Sequence, residues 1–82
     1  MTSNKDKFLV FVKAGCPFCK KCLETLRKNK MSFTKVMCKD QDELKTNIKQ
    51  KKLRIPRITT FPRIFKGSTL VGGSDDLEKL LG

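Results

Sequence analysis

Histidine, tryptophan and tyrosine are absent from this 82-residue chain, and acids are scarce, with 8 Asp and Glu against 19 Lys and Arg. Without imidazole, no Ser-His-Asp or Cys-His catalytic arrangement can form, nor any zinc site that needs a histidine ligand. Long apolar runs are missing as well. The early run Phe8 to Val12 stops at Lys13, too short for a signal-peptide core and far short of the ~20 residues that span a bilayer. A chain of this length is expected to form one small domain over residues 1–82, without room for a repeat array or a large enclosed cavity. Cysteine, carboxylate and amine chemistry remain. Four cysteines are present, and a reducing, cytoplasmic setting is expected for them, where closely spaced thiols serve as metal ligands or redox groups rather than as staples.

The pattern along the chain alternates between strand and helix. Residues 1–6 are polar and expected to fray. Phe8-Leu9-Val10-Phe11-Val12 is uniformly apolar, as in a central strand buried on both faces. After Lys13-Ala14-Gly15 and Cys16, Pro17 suits the first position of a helix, where its missing N–H is not needed. Cys19, Cys22, Leu23 and Leu26 then fall on one helical stripe, and the helix is predicted to end near Asn29. Phe33 to Cys38 forms a second strand candidate. Asp40 with Glu43 resembles a capping box that opens a helix through about Lys51, with Leu44 and Ile48 inward. Arg63–Phe65 and Thr69–Val71 flank Lys66-Gly67-Ser68 as a tight antiparallel hairpin, which Gly72-Gly73 ends. Ser74 or Asp75 is expected to cap a last helix whose Leu77, Leu80 and Leu81 form the buried stripe. The expectation is an α/β protein with a four-stranded mixed sheet flanked by three helices.

The feature that carries chemistry is Cys16-Pro17-Phe18-Cys19 at the junction of strand and helix. Unpaired backbone N–H groups, the positive helix end and the nearby Lys13, Lys20 and Lys21 favour a thiolate on Cys16. Cys19, one turn on and facing the core, is placed to close a disulfide with it.

Three ordered motifs resemble the glutaredoxins, a thioredoxin-like family: Lys13 three residues ahead of CPFC, with Phe18 where the family has Tyr; Thr60-Phe61-Pro62, similar to Thr-Val-Pro with a cis proline; and Gly72-Gly73-Ser74-Asp75-Asp76, similar to Gly-Gly-x-Asp-Asp. The resemblance covers nearly all of residues 7–82. It implies a glutathione-disulfide oxidoreductase that reduces protein disulfides and glutathione mixed disulfides through Cys16 and Cys19. Glutathione is then a co-substrate and no cofactor is held. The implied glutathione-binding residues are Lys13, Phe18, Arg57, Thr60, Phe61, Pro62, Gly73, Ser74 and Asp75. Disulfide-bearing or glutathionylated proteins, ribonucleotide reductase among them, are the implied clients, and a monomer is expected. Thr59 departs from the pattern, because the family often has Arg or Gln there to hold the glycine carboxylate; Arg57 or Lys49 is the substitute.

Other readings use the same residues differently. The four cysteines total the ligands of a sulfur-only zinc site, but Cys38 stands alone and Cys22 lies on an apolar stripe, so both are expected to be small core residues. An iron-sulfur module using Cys16 with glutathione, and a redoxin recharged by thioredoxin reductase, remain as alternatives. The net charge of +11 is concentrated in residues 1–66, with 18 basic and 5 acidic side chains, and Lys49 to Lys66 holds seven cations and no acid. This face is expected to steer anionic substrates rather than to bind nucleic acid, since stacking aromatics are few. No membrane partner is expected.

Overall fold

The computed structural model describes residues 7–57 and 60–81, so the expected fraying of residues 1–6 and the position of Thr59 lie outside the described residues. In chain order the elements are β1 (Phe8–Lys13), α1 (Pro17–Lys28), β2 (Phe33–Cys38), α2 (Gln41–Gln50), β3 (Arg63–Lys66), β4 (Thr69–Gly72) and α3 (Ser74–Leu81). One mixed sheet has the order β2-β1-β3-β4. Strand β2 runs parallel to β1, with Phe8 opposite Phe33 and Lys13 opposite Cys38. β3 runs antiparallel on the other side of β1, with Phe8 opposite Lys66.

Because side chains alternate across a strand, the apolar β1 serves two cores at once. Phe8, Val10 and Val12 pack with Cys19, Cys22, Leu26, Ile64 and Leu77 beneath α1 and α3. Phe11 faces the other way and packs with Cys38, Leu44, Ile48 and Phe65 beneath α2. The Phe11 and Phe65 rings meet edge to face, 5.8 Å between centroids. Helices α1 and α3 are tied at the surface by Lys21 Nζ and Glu78 Oε1, 3.0 Å apart. No helix among the described residues is long and apolar enough to cross a membrane.

Helix boundaries follow local chemistry. Asp40 caps α2 as expected, its Oδ1 accepting the Glu43 N–H at 2.9 Å. Both α1 and α2 end in the same device, in which the chain turns through a left-handed residue that is a lysine rather than a glycine: Lys30 at φ 56° and Lys52 at φ 59°. In α1 the Lys30 N–H donates to the Arg27 carbonyl and the Met31 N–H to that of Leu26; in α2 Lys52 and Leu53 repeat the pattern onto Lys49 and Ile48. These are Schellman closures, which satisfy carbonyls the helix leaves orphaned.

Two expectations for α3 are corrected. Its start is held by Asp76, whose Oδ2 accepts the Gly73 N–H at 3.1 Å. The Ser74 hydroxyl is instead buried without a hydrogen-bond partner. Leu80 is 52% exposed, because Leu77 and Leu81, four residues apart, take the inward face and leave Leu80 over the β4 edge.

Candidate active site

The turn after β1 bends at Gly15, with φ 78°, and delivers Cys16 to the N-cap position of α1. Cys16 is extended there, at φ −94° and ψ 111°, with Pro17 starting the helix behind it. The Cys16 side chain makes no capping bond, so its sulfur is left at the mouth of the helix, half-buried. Helical periodicity then carries Cys19 into the core, where it is 3% exposed. Burial, then a hydrogen bond with the Cys16 sulfur, pushes the Cys19 thiol up to about 12. Cys22, a turn deeper, is fully buried and donates to the Cys19 carbonyl at 3.1 Å. Its thiol is pushed up to about 11, chiefly by burial and next by the charge at Cys16. Of these three sulfurs only Cys16 is not buried, so it is the one a substrate can reach. All four cysteines are free thiols.

Facing Cys16 is the loop that leads into β3. The Phe61–Pro62 peptide bond is cis, and the Phe61 carbonyl lies 3.9 Å from Cys16 Sγ. Arg63, which the sequence reading left among the surface cations, holds this loop. Its Nε donates to the Thr60 carbonyl at 3.0 Å and to the Pro62 carbonyl at 3.1 Å, and its Nη2 to Thr60 Oγ1 at 3.4 Å. Partial burial lowers the Arg63 pKa, while the Asp76 charge opposes that shift.

Phe18, Phe61, Pro62, Gly73, Ser74 and Asp75 surround one hollow of about 220 Å³, together with Arg63 and Asp76, which sequence reasoning did not assign to the site. The double glycine has a local explanation. Gly72 sits at φ 125°, and a Cβ there would overlap the Asp76 carboxylate; a Cβ on Gly73 would come 3.0 Å from Arg63 Nη2. Lys13 lies elsewhere, in a second hollow that also contains Cys16, Cys19 and Lys20. Arg57 lies in a third, with Arg54, Ile55 and Phe65. Lys49 is exposed on α2. The structure thus brings together the α3 end and the proline loop but not Lys13 and Arg57.

Cys38 packs on the α2 face, across the sheet from Cys19 and Cys22. Burial raises its pKa, and the Asn47 Nδ2–H, which donates to its sulfur at 3.3 Å, pulls the other way. The four sulfurs therefore do not converge as a zinc site would require. Cys22 and Cys38 are core residues, as expected.

The glutaredoxin family model matches residues 8–71. The chain belongs to the glutaredoxin family. Glutaredoxin 1 of Rickettsia bellii is 32% identical over 72 residues, covering 88% of this chain and 74% of that protein. Glutaredoxin 1 of Francisella tularensis superposes with a TM-score of 0.73 at 24% identity, over 89% of this chain and 88% of that one. A buckwheat glutaredoxin solved in complex with glutathione gives 0.71 at 20% identity, over 93% and 68%. The four-stranded sheet with three helices is the thioredoxin-like fold of these glutaredoxins, and the paired Cys16 and Cys19 make this member a thiol-disulfide oxidoreductase.

Proposed function

We propose that the protein is a glutathione-dependent oxidoreductase that reduces protein disulfides and glutathione mixed disulfides in the cytoplasm. The observation that carries this reading is the hollow formed by Phe61, Pro62 and the start of α3, which reaches Cys16 through the Phe61 carbonyl 3.9 Å from its sulfur and has the buried and unpartnered Ser74 hydroxyl at its wall. Glutathione carries two carboxylates and one ammonium. The first-turn N–H groups of α3 and the Ser74 hydroxyl suit its γ-glutamyl carboxylate, and Asp75 suits the ammonium. The Phe61 backbone pairs with the cysteinyl unit in the manner of an added strand. Lys13 and Arg57 are the cations proposed for the glycine carboxylate, reached from their neighbouring hollows, and Phe18 covers the opening.

With a glutathionylated protein, the Cys16 thiolate attacks the glutathione sulfur and the protein thiolate leaves. A second glutathione thiolate then attacks the Cys16 mixed disulfide, releasing oxidised glutathione and restoring Cys16. With a protein disulfide, Cys16 first forms a mixed disulfide with one client sulfur while the other leaves as thiolate. Cys19 gives up its proton, attacks Cys16 Sγ and expels the client's second thiolate, leaving a Cys16–Cys19 disulfide. Two glutathione thiols reduce it in two exchanges.

The test is a glutathione-coupled assay on a glutathione mixed disulfide, run beside a thioredoxin-reductase-coupled assay. Cys16→Ser abolishes turnover, whereas Cys19→Ser keeps activity on the glutathione mixed disulfide and loses most activity on a protein disulfide. Turnover supported only by thioredoxin reductase, or an active Cys16→Ser variant, overturns the reading.

A further inference from the structure

Two hollows of different charge lie near Cys16. On the proline-loop side, where the Phe61 carbonyl lies 3.9 Å from Cys16 Sγ, the walls carry Asp75 and Asp76 together with Arg63, whose guanidinium is engaged with the Thr60 and Pro62 carbonyls. On the far side lies a groove of about 480 Å³ whose lining includes Lys13, Cys16, Lys20, Leu23, Lys35 and Met37, and no carboxylate. Its floor is set by register: Lys35 pairs with Val10 and Met37 with Val12, and Val10 and Val12 face the core beneath α1. Lys35 and Met37 therefore project on the α1 side of β2, which is an edge strand. The groove runs between that edge and α1 and opens at the Cys16 sulfur. Met37 is 50% exposed within it, and Leu23 is half-buried beside it.

We propose that this groove is the docking site for the client protein, and that it takes a segment next to the client's reacting cysteine that carries carboxylates and an apolar side chain. The inference rests on the oxidoreductase reading above and names the substrate class it selects. Charge complementarity decides the occupant. A glutathione molecule placed here would bring an ammonium against Lys13, Lys20 and Lys35 with no acid to receive it, while the hollow with Asp75 suits a zwitterion. A segment bearing carboxylates alone meets three cations and loses nothing. Met37 and Leu23 supply an adaptable apolar strip between those charges. A client held here presents its sulfur to Cys16 from the side opposite the proline loop. Cys16 forms the mixed disulfide with that sulfur and the client's partner sulfur departs as thiolate, so the hollow at Phe61, Pro62 and Asp75 stays open, with Lys13 alone shared between client and glutathione.

The experiment is a single-turnover reduction by the full chain, reduced beforehand so that no glutathione is needed. The substrates are two synthetic peptides of equal length, each closed by one disulfide, with Glu-Leu-Glu beside one cysteine in the first and Lys-Leu-Lys in the second. At low salt the acidic peptide is reduced about tenfold faster, the scale of effect that a few exposed charge pairs produce. Lys35→Glu combined with Met37→Ser erases that preference but leaves unchanged the rate with the mixed disulfide of glutathione and 2-hydroxyethanethiol. Lys35→Glu alone, which keeps the apolar strip intact, gives a smaller loss of the same preference and likewise leaves the glutathione substrate unchanged. A preference that survives both variants, or an equal fall with all substrates in variants whose melting is unchanged, overturns the proposal. Peptide preference without glutathione-supported turnover overturns the glutathione reading instead and leaves the docking groove standing.

Discussion

Gly72→Ala tests the reasoning about how the chain enters α3. At φ 125° the backbone is in a region that an L side chain occupies only at a cost of about 1–3 kcal/mol. The new Cβ would also overlap the Asp76 carboxylate, so Asp76 must swing away and release the Gly73 N–H it accepts at 3.1 Å. That bond contributes roughly 1 kcal/mol. The combined loss is about 2–4 kcal/mol, a large part of the ~5–15 kcal/mol that holds a small domain together, and it should lower the melting temperature by on the order of 10–25 °C. Urea unfolding followed by far-UV circular dichroism measures it. The second contribution runs through Asp76, so the two residues are coupled: in an Asp76→Ala background, Gly72→Ala should cost ~1 kcal/mol less than in the parent. A loss below ~0.5 kcal/mol, or strict additivity in the cycle, would refute the account of the double glycine.

Lys30→Gly and Lys52→Gly should each stabilise the protein by about 1 kcal/mol, since both lysines hold left-handed backbone at helix ends that glycine adopts without cost. Thermal melts of the two variants check this, and a fall in melting temperature would show that the lysine side chains contribute more than the backbone strain they carry. The buried thiols predict the alkaline limit of stability. Cys19 and Cys22 titrate at about 12 and about 11 in the folded protein against 9.0 otherwise, so from pH 9 upward the unfolded chain binds fewer protons than the folded one and stability falls. Their contribution is intact below pH 9 and is lost progressively toward pH 12; Cys22→Ala should flatten the decline measured by urea unfolding at stepped pH under reducing conditions.

Most of the fold was legible because the decisive signals are local. An unbroken apolar run marks β1, Pro17 marks the start of α1, and Asp40 marks that of α2. The helix ends were harder to read, since the closures at Lys30 and Lys52 use a residue with no turn signature. Leu80 was misplaced because a helical stripe drawn from spacing alone assumes a partner across from it; α3 sits at the β4 edge, where the sheet stops. Within the site, the place of Cys16 at the mouth of α1, the cis proline and the position where α3 begins follow from motif and position. Arg63 did not, because as one cation in a run of seven it has no distinguishing neighbour in the sequence. Only the fold of the proline loop shows it turned inward onto the Thr60 and Pro62 carbonyls. Lys13 and Arg57 illustrate the converse: both lie near the site in the chain's logic, yet they open onto separate hollows.

The three sulfurs along α1 also suggest how the exchange is ordered. Burial, the hydrogen bond to the Cys16 sulfur, and the charges at Cys16 and then Cys22 all help Cys19 keep its proton. Once Cys16 is tied in a mixed disulfide, its own bond and charge no longer do so, because a disulfide sulfur is uncharged and a far poorer acceptor. The bond from the Lys13 backbone N–H, which favours the thiolate of Cys19, remains. Cys19 therefore becomes easier to ionise at the step that requires it as a nucleophile. Cys22 gains less from the same event, since burial is the larger of its two causes and persists, and its proton stays engaged with the Cys19 carbonyl. The proposed order of attack, Cys16 first and Cys19 second with Cys22 held back, rests on where one helix places three identical side chains relative to solvent and to one another.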